Sequence, residues 1–275
     1  MDDIKKMSKP LITLFGPSHR THLWKSFYES IITNLDFEVI FVSDVEPKPE
    51  ELPDGFPSVV EIEKTGIRIY SYGRFKFIIS PVKPAQCFEI GYRQAKGDMV
   101  IWTGDDFTYA PYALDHAYAM YKSFHDHKVM ISFDVYEDGH EATNSYHKVP
   151  WDATKQLTTS ALISKKAIEE VGGWGDINFV CGHHDVDLQM RIYANGGRMF
   201  VCPLALAYEP HNQFHKQESN FAIDWREELD YWTSLWQLKF NGETTFNRQK
   251  PFMPYSDVDI LTKSQGNVGK SGKWK

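Results

Sequence analysis

Short apolar runs alternate with amphipathic stretches along the first half of the chain. Leu11–Phe15 and Phe37–Val42 are nearly continuous apolar runs, and residues 21–34 between them place Leu23, Phe27 and Ile31 on one helical face. Near-continuous apolar runs are typical of parallel strands that are buried on both faces. A strand, a helix and a second parallel strand form a βαβ unit. The pattern therefore predicts an α/β protein built on a parallel sheet.

The same alternation continues to the C-terminal third. Further strands are predicted at residues 67–72, 75–80, 99–102, 129–135, 158–163, 198–202 and 205–208, and helices at 84–95, 111–125 and from 164 to the glycines at 172 and 173. Residues 136–156 are polar and aromatic without clear periodicity, which indicates either an acceptor-side loop or an inert insertion. An apolar stripe at helical spacing predicts a helix packed on the sheet; it consists of Trp225, Leu229, Trp232, Trp236 and Phe240.

Composition narrows the class of protein. The 275 residues carry a formal net charge of −7, which disfavours a broad nucleic-acid footprint or a strongly basic membrane surface. No apolar run approaches the roughly 20 residues of a membrane span, and residues 1–10 contain no apolar signal core. The three cysteines form no C-x-x-C pair, as expected in a reducing compartment. We therefore expect a cytoplasmic protein.

Two adjacent carboxylates follow one of the apolar runs. Met99–Trp102 is succeeded by Thr103, Gly104, Asp105 and Asp106. Ligands of open α/β sheets bind outside the carboxyl ends of the strands. Carboxylates at such a position suit a hard cation, Mg²⁺ or Mn²⁺, which can in turn hold a diphosphate. The alternative is that the pair only forms a turn and a helix N-cap.

A second polar block follows a glycine-rich loop. Gly172 and Gly173 end one predicted helix, and Asp185 and Asp187 begin the next. Carboxylates near a helix N-terminus are stabilised by the dipole and by free N–H groups, so N-capping is one interpretation. The run from Gly182 to Asp187 contains more polar chemistry than one cap requires.

In their order and spacing, these blocks resemble the family 2 glycosyltransferases of the GT-A fold, over about 11–211. Gly16–Arg20 matches the loop after the first strand, Ala95–Val100 matches an A-x-G-(D/E) segment, and Val171–Leu188 matches the V-G-G-F-D-E and G-x-E-D-x-D-L blocks. Several positions depart from the family pattern: only Gly91 remains of an R-N-x-G segment, and two further departures fall on the predicted site. Thr103 stands where the first carboxylate of D-x-D-D is usual, and His184 stands where glutamate is usual.

The resemblance implies a GT-A fold with a mostly parallel central sheet flanked by helices. It implies a metal-dependent, inverting transfer of a sugar from a nucleotide-diphosphate sugar to a glycan, lipid-linked or small-molecule acceptor. Asp185 would be the catalytic base, and Mn²⁺ or Mg²⁺ would be held by Asp105, Asp106 and His211. The implied substrate-binding residues are Pro17, Ser18, Arg20, Asp44, Gly91, Gly104, Trp174 and His184.

Other functions remain open at this point. The same fold could bind a sugar nucleotide or glycan without catalysis. A metal hydrolase using His183, His184 and Asp185 is less favoured because adjacent histidines do not face one point, and a nucleotidyltransferase would normally need a more basic first loop. We expect a GT-A domain over residues 9–215, a helical extension packed on it over 216–260, and a flexible tail over 261–275.

Overall fold

The computed structural model describes most of the chain. The described residues are 9–48, 50, 60–62, 67–137, 146–149, 152–209, 225–236, 248–257 and 260–261. His211 and the predicted tail beyond Leu261 lie outside these residues.

A ten-stranded mixed sheet forms the centre of the described structure. Its spatial order is β3-β4-β5-β2-β1-β6-β11-β8-β12-β7. The strands are β1 (Ile12–Pro17), β2 (Phe37–Ser43), β3 (Val60–Ile62), β4 (Arg68–Tyr72), β5 (Phe75–Ile79), β6 (Met99–Trp102), β7 (Thr108–Tyr109), β8 (Val129–Glu137), β11 (Ala161–Ser164) and β12 (Arg198–Glu209).

Seven of these strands, including the short edge-side β3, run in one direction and share a carboxyl edge. β5, β2, β1 and β6 pair in parallel. β11 is antiparallel to both β6 and β8, and β8 pairs in parallel with β12. The carboxyl ends of β1, β2, β6, β8 and β12 therefore meet at the same edge of the sheet. This arrangement confirms the predicted α/β class and the βαβ unit.

Helices cover both faces of the sheet. They are α1 (Trp24–Ser30), α2 (Pro84–Gln94), α3 (Ala113–Ser123), α4 (Lys165–Glu170), α5 (His184–Ala194) and α6 (Trp225–Leu235). Trp24, Phe27 and Leu114 belong to the core on the α1 and α3 face. Trp174, Leu188 and Trp236 belong to the core on the opposite face, with α2, α4, α5 and α6. None of the described helices is long and apolar enough to cross a bilayer.

The first helix is shorter than its periodicity predicts. A 3₁₀ turn over Thr21–Leu23 leads into α1, which ends at Ser30, well before residue 34. Beyond it, Thr33 Oγ1 donates to Asp115 Oδ2 at 2.5 Å and the Asn34 side chain donates to Asp115 Oδ1 at 3.1 Å. These tertiary bonds to α3 hold residues 33 and 34 outside helical geometry, so apolar spacing alone overestimated the helix.

Two strand predictions also need correction. The interpretation of residues 136–156 as a loop or insertion is wrong in part, because β9 (Tyr146–Val149) and β10 (Asp152–Thr158) pair as a separate antiparallel sheet. The predicted strands at 198–202 and 205–208 are one strand, β12, whose register shifts between Cys202 and Leu206. Pro203 lies at the shift, and proline cannot donate to a sheet ladder.

The C-terminal segments pack on the helical face that carries α5. Trp232 and Trp236 of the predicted stripe are buried in that core. Ile177 N–H donates to Met253 O at 2.8 Å, and Asp176 pairs with Pro254 in an isolated bridge. The predicted domain limits remain predictions.

Candidate active site at the carboxyl edge of the sheet

Asp105 anchors the loop that follows β1. Its Oδ2 accepts from Ser18 Oγ at 2.8 Å, from His19 N–H at 2.9 Å and from Arg20 N–H at 2.8 Å. Its Oδ1 accepts from Arg20 Nε at 2.8 Å and from Arg20 Nη2 at 2.5 Å. Trp24 Nε1 donates to Ser18 Oγ at 2.6 Å. Of these residues, the sequence predicted Ser18, Arg20 and Asp105 as site residues, but it did not predict that they bind one another.

Asp106 shares the same arginine. Its Oδ2 lies 2.8 Å from Arg20 Nη1, and desolvation together with the nearby Asp105 raises its pKa. Gly104 makes room for this carboxylate, because a Cβ at residue 104 would lie 2.4 Å from Asp106 Oδ1. Thr103, in place of the missing acid, is buried and accepts from the Tyr109 hydroxyl at 2.9 Å.

The carboxylate pair does not fit a divalent cation as it is arranged here. Both oxygens of Asp105 are already occupied by five hydrogen bonds, and the Arg20 guanidinium lies where a cation would have to approach. Within the described residues, no group of three or more His, Cys, Asp or Glu side chains could hold a metal. The third predicted ligand, His211, lies outside these residues, so the predicted ligand set is untested as a whole.

Asp185 lies in the first turn of α5 and is half-buried. Desolvation raises the pKa of its carboxyl to about 6, with a smaller contribution from the charge of Glu228, while backbone N–H groups oppose the shift. None of the described arginines or lysines pairs with it. Asp105, Asp176 and Asp187, by contrast, each bind an arginine.

His184 and Trp174 belong to the core beneath the site. Trp174 is fully buried, with its ring 4.7 Å from Phe15 and 5.8 Å from Phe88. The His184 ring lies 4.5 Å from Phe88, and desolvation lowers its pKa to about 3. As placed here, both side chains are buried and pack on Phe88, and their substrate-binding role stays a prediction. The neutral His184 also cannot hold Asp185 ionised through a positive charge.

Gly91 likewise has a packing role. It lies in α2, where an added Cβ would be 3.1 Å from the Phe15 ring. Gly16 matters for a related reason, since a Cβ there would lie 2.0 Å from the Thr103 carbonyl oxygen. That Cβ would also be 3.5 Å from the Phe88 ring, which packs on His184. Phe88 of α2 thus packs between the end of β1 and the start of α5.

Asp44 and Pro17 remain at the predicted edge. Pro17 ends β1, and Asp44 follows β2 with an exposed side chain. Asp44 Oδ1 lies 3.6 Å from His19 Nδ1, which is too long for a hydrogen bond. Its carboxylate is therefore accessible at the carboxyl end of β2.

Glu228 is a site residue that the sequence did not reveal. This buried carboxylate from α6 accepts from three successive backbone N–H groups, those of Val180 at 2.5 Å, Cys181 at 2.9 Å and Gly182 at 2.6 Å. Successive N–H groups that point at one oxyanion form an anion-binding nest. Because these residues lead directly into His183 and Asp185, Glu228 fixes the approach to α5.

A buried charge cluster lies behind the same loop. Asp187 binds Arg191 Nε at 2.9 Å, Trp236 Nε1 at 3.0 Å and Arg248 Nε at 3.1 Å. Arg248 Nη2 also donates to Asp176 at 2.6 Å. Asp187 is therefore a structural hub, although its spacing from Asp185 made it part of the predicted functional motif.

No protein-family model and no curated protein sequence matches the chain. Solved structures do match. Residues 1–349 of S. aureus TarS in complex with UDP align at 14% identity with a TM-score of 0.52, covering 72% of this chain and 60% of that one. The same protein with UDP-GlcNAc gives 14% identity and a TM-score of 0.51, with coverages of 74% and 59%.

A second solved structure matches over more of the chain. GalNAc-T7 with UDP, GalNAc and Mn²⁺ aligns at 9% identity with a TM-score of 0.54, covering 84% of this chain and 50% of that one. This chain thus spans about half to three fifths of the length of these proteins. At such identities the likeness establishes the fold, and the fold is that of GT-A glycosyltransferases. Membership of family 2 remains a prediction.

Proposed function

We propose that the protein is an inverting glycosyltransferase that moves a sugar from a nucleotide-diphosphate sugar to an acceptor hydroxyl. The acceptor oxygen would form a bond to the anomeric carbon while the bond from that carbon to the diphosphate oxygen breaks. The hydroxyl proton would pass to the Asp185 carboxylate. The nucleotide diphosphate would leave from the opposite face of the sugar.

The position, burial and pKa of Asp185 are the observations that carry this proposal. It lies at the start of a helix in a GT-A fold, is half-buried, and has no cationic partner among the described residues. Its pKa of about 6 leaves it ionised at neutral pH, yet basic enough to accept a proton. General bases work best when their pKa lies near the working pH.

The donor site is proposed at the carboxyl ends of β1, β2 and β6. The solved TarS structures with UDP and UDP-GlcNAc support a nucleotide-sugar donor for this fold. In this chain, the accessible Asp44 can accept hydrogen bonds from a ribose or a base. The backbone of Pro17 and Ser18, at the end of β1, lies beside the end of β2 that Asp44 follows.

A divalent cation is the least supported part of the resemblance. The GalNAc-T7 structure includes Mn²⁺, but here Arg20 already neutralises the carboxylates that would bind it. No step of the proposed reaction is therefore assigned to a metal. Calorimetry of UDP binding in EDTA and in Mn²⁺ tests this arrangement, and we expect similar affinities. A gain in Mn²⁺ that disappears in Asp106→Ala would show that the cation displaces Arg20.

Asp185→Asn tests the catalytic role. The substitution keeps the shape of the side chain, so donor affinity should be unchanged while turnover falls by about 10²–10⁴-fold. Turnover and binding would be measured with UDP-, GDP- and dTDP-sugars, with Asp230→Asn on the exposed side of α6 as the matched control. Wild-type turnover in Asp185→Asn would rule out this base. Donor binding without transfer or hydrolysis by the wild type would instead favour a non-catalytic sugar-nucleotide-binding protein.

A further inference from the structure

Asp134 is a carboxylate without a partner among the described residues. Side chains alternate along β8, so Ser132, Asp134 and Tyr136 share one face, while Phe133 and Val135 are buried on the other. Asp134 is half-buried, and no described residue donates a hydrogen bond to it or forms an ion pair with it. Desolvation alone raises its pKa. A partly buried polar group without a partner is costly, and function is one reason to retain it.

Two tyrosines flank this carboxylate. Tyr136 and Tyr208 lie directly opposite each other in the parallel pairing of β8 and β12. Their ring centroids are 5.8 Å apart at an interplanar angle of 39°, and Tyr208 is 44% exposed. The pair presents aromatic surface to solvent one step along the same strand face from Asp134. We call Asp134, Tyr136 and Tyr208 the β8–β12 platform.

The platform lies on the same side of the molecule as the proposed catalytic base. β8 and β12 run in the direction of β6, so its residues are at the edge that also carries Asp105. Ser132 and Thr158 share a hydrogen bond of 2.7 Å between their hydroxyls, and Thr158 N–H donates to Gln189 Oε1 at 2.8 Å. This chain connects the platform's strand face to α5, whose first turn contains Asp185.

We propose that the β8–β12 platform binds one pyranose ring of a saccharide acceptor. The C–H face of a sugar packs on flat aromatic rings, while its hydroxyls donate to a carboxylate in charge-assisted hydrogen bonds. Small-molecule sites characteristically combine aromatic lining with a few placed polar groups. This inference rests on the proposed function, because it assigns the acceptor of that reaction to the carbohydrate class.

Saturation-transfer NMR on the full chain tests the platform without needing turnover. The probes are the methyl glycosides of glucose, galactose, mannose and N-acetylglucosamine, with tetramethylammonium as a cationic probe. We expect at least one glycoside to bind. Its affinity should fall roughly tenfold or more in Tyr208→Ala and in Asp134→Asn, and should be retained in Tyr208→Phe, which keeps the ring.

The matched control uses another tyrosine pair. Tyr118 and Tyr121 on α3 have ring centroids 6.3 Å apart at 22°, so Tyr118→Ala removes one ring of a second, partly buried tyrosine pair and should leave glycoside binding unchanged. The proposal is overturned if no glycoside binds, if binding survives both Tyr208→Ala and Asp134→Asn, or if tetramethylammonium alone binds. Circular dichroism of each variant separates loss of the platform from unfolding.

Measurements on UDP distinguish this inference from the proposed function. If UDP binds and no glycoside binds, the proposed role of the platform is refuted and the proposed donor site still stands. Glycoside binding that is sensitive to Tyr208→Ala, in a protein that binds no nucleotide, would support the platform and refute the transferase.

Discussion

Asp105 and Asp185 carry the same side chain at the same edge of the sheet, yet their surroundings differ in one decisive respect. Asp105 accepts five hydrogen bonds from Ser18, His19 and Arg20, whereas Asp185, within the part of the chain that the structure describes, has only backbone donors and the repulsion of Glu228. Five hydrogen bonds hold the Asp105 carboxylate in one position. A carboxylate that is desolvated without a partner can exchange a proton near neutral pH.

Replacing Arg20 tests the structural role of the first carboxylate pair. In Arg20→Met, Asp105 and Asp106 would face each other without a cation, and we expect a loss of about 3 kcal/mol in the free energy of unfolding. Chemical denaturation measures it. Arg74→Met is the control, because Arg74 pairs with Asp36 in solvent and such pairs contribute about 0–1 kcal/mol. Equal losses in both variants would contradict the special role of Arg20.

His184 makes a pH-dependent contribution to stability. Its pKa falls from 6.5 to about 3 on folding, so the folded state is favoured above pH 6.5 and loses roughly 1.4 kcal/mol per pH unit as pH falls towards 3. His184→Phe keeps the contact with Phe88 and removes this titration. Denaturation at pH 4.5, 5.5 and 7.5 should show a shallower acid loss in the variant.

The exposed His116 provides the control for this measurement. His116→Gln on α3 should leave the pH dependence of unfolding unchanged. Asp185 titrates in the same range with the opposite sign, but it does so in both proteins. Identical slopes for the wild type and His184→Phe would show that His184 is not buried as described.

At the scale of secondary-structure elements, the predictions are correct where local sequence pattern determines the element. β1, β2, β4, β5, β6 and α2 follow from apolar runs and from Pro84 at the first position of its helix. The predictions were wrong where contacts with residues distant in the sequence decide the local structure. The end of α1 depends on Asp115, 81 or more residues away, and β12 runs as one strand because β8 pairs along both of its halves.

The loop before α5 depends on α6 in the same way. Glu228→Gln keeps one amide oxygen but removes the charge that three N–H groups share. We expect a loss of about 1.5–3 kcal/mol in stability and a lower kcat. The negative charge of Glu228 also raises the pKa of Asp185, so its removal should move the acid limb of the pH–rate profile to lower pH.

The shift in the pH profile separates positioning from simple destabilisation. Asp230→Asn on the exposed side of α6 serves as the control and should change neither kcat nor the acid limb. A Glu228→Gln enzyme with lower activity but an unmoved acid limb would mean that Glu228 only stabilises the fold.

At the scale of the whole molecule, the candidate site is assembled from both ends of the chain. Arg248 reaches Asp187 and Asp176 across 61 and 72 residues, and Met253 pairs with Ile177. Asp176 and Asp187 lie inside a sequence motif, but no local pattern in that motif indicates that a distant arginine binds them. Contacts of this kind are set by the tertiary fold and have no periodicity to detect.

Arg248→Met should weaken the contacts of the C-terminal segment with Asp176 and Asp187 before it affects the sheet. Asp187 keeps Arg191 and Trp236, but Arg248 is only 10% exposed and both of its partners are fully buried, so we expect a loss of about 3–5 kcal/mol. Hydrogen exchange should accelerate first in residues 248–257 and 175–182, before β1 loses protection.

Lys250→Met is the matched control, since it removes an exposed cation two residues away and should change stability by no more than about 0.5 kcal/mol. Because the loop at 175–182 leads into Asp185, turnover should fall in Arg248→Met even under conditions where the protein remains folded, and donor affinity should change less. Uniform exchange throughout the chain, or wild-type turnover in Arg248→Met, would show that the C-terminal segments do not position the site.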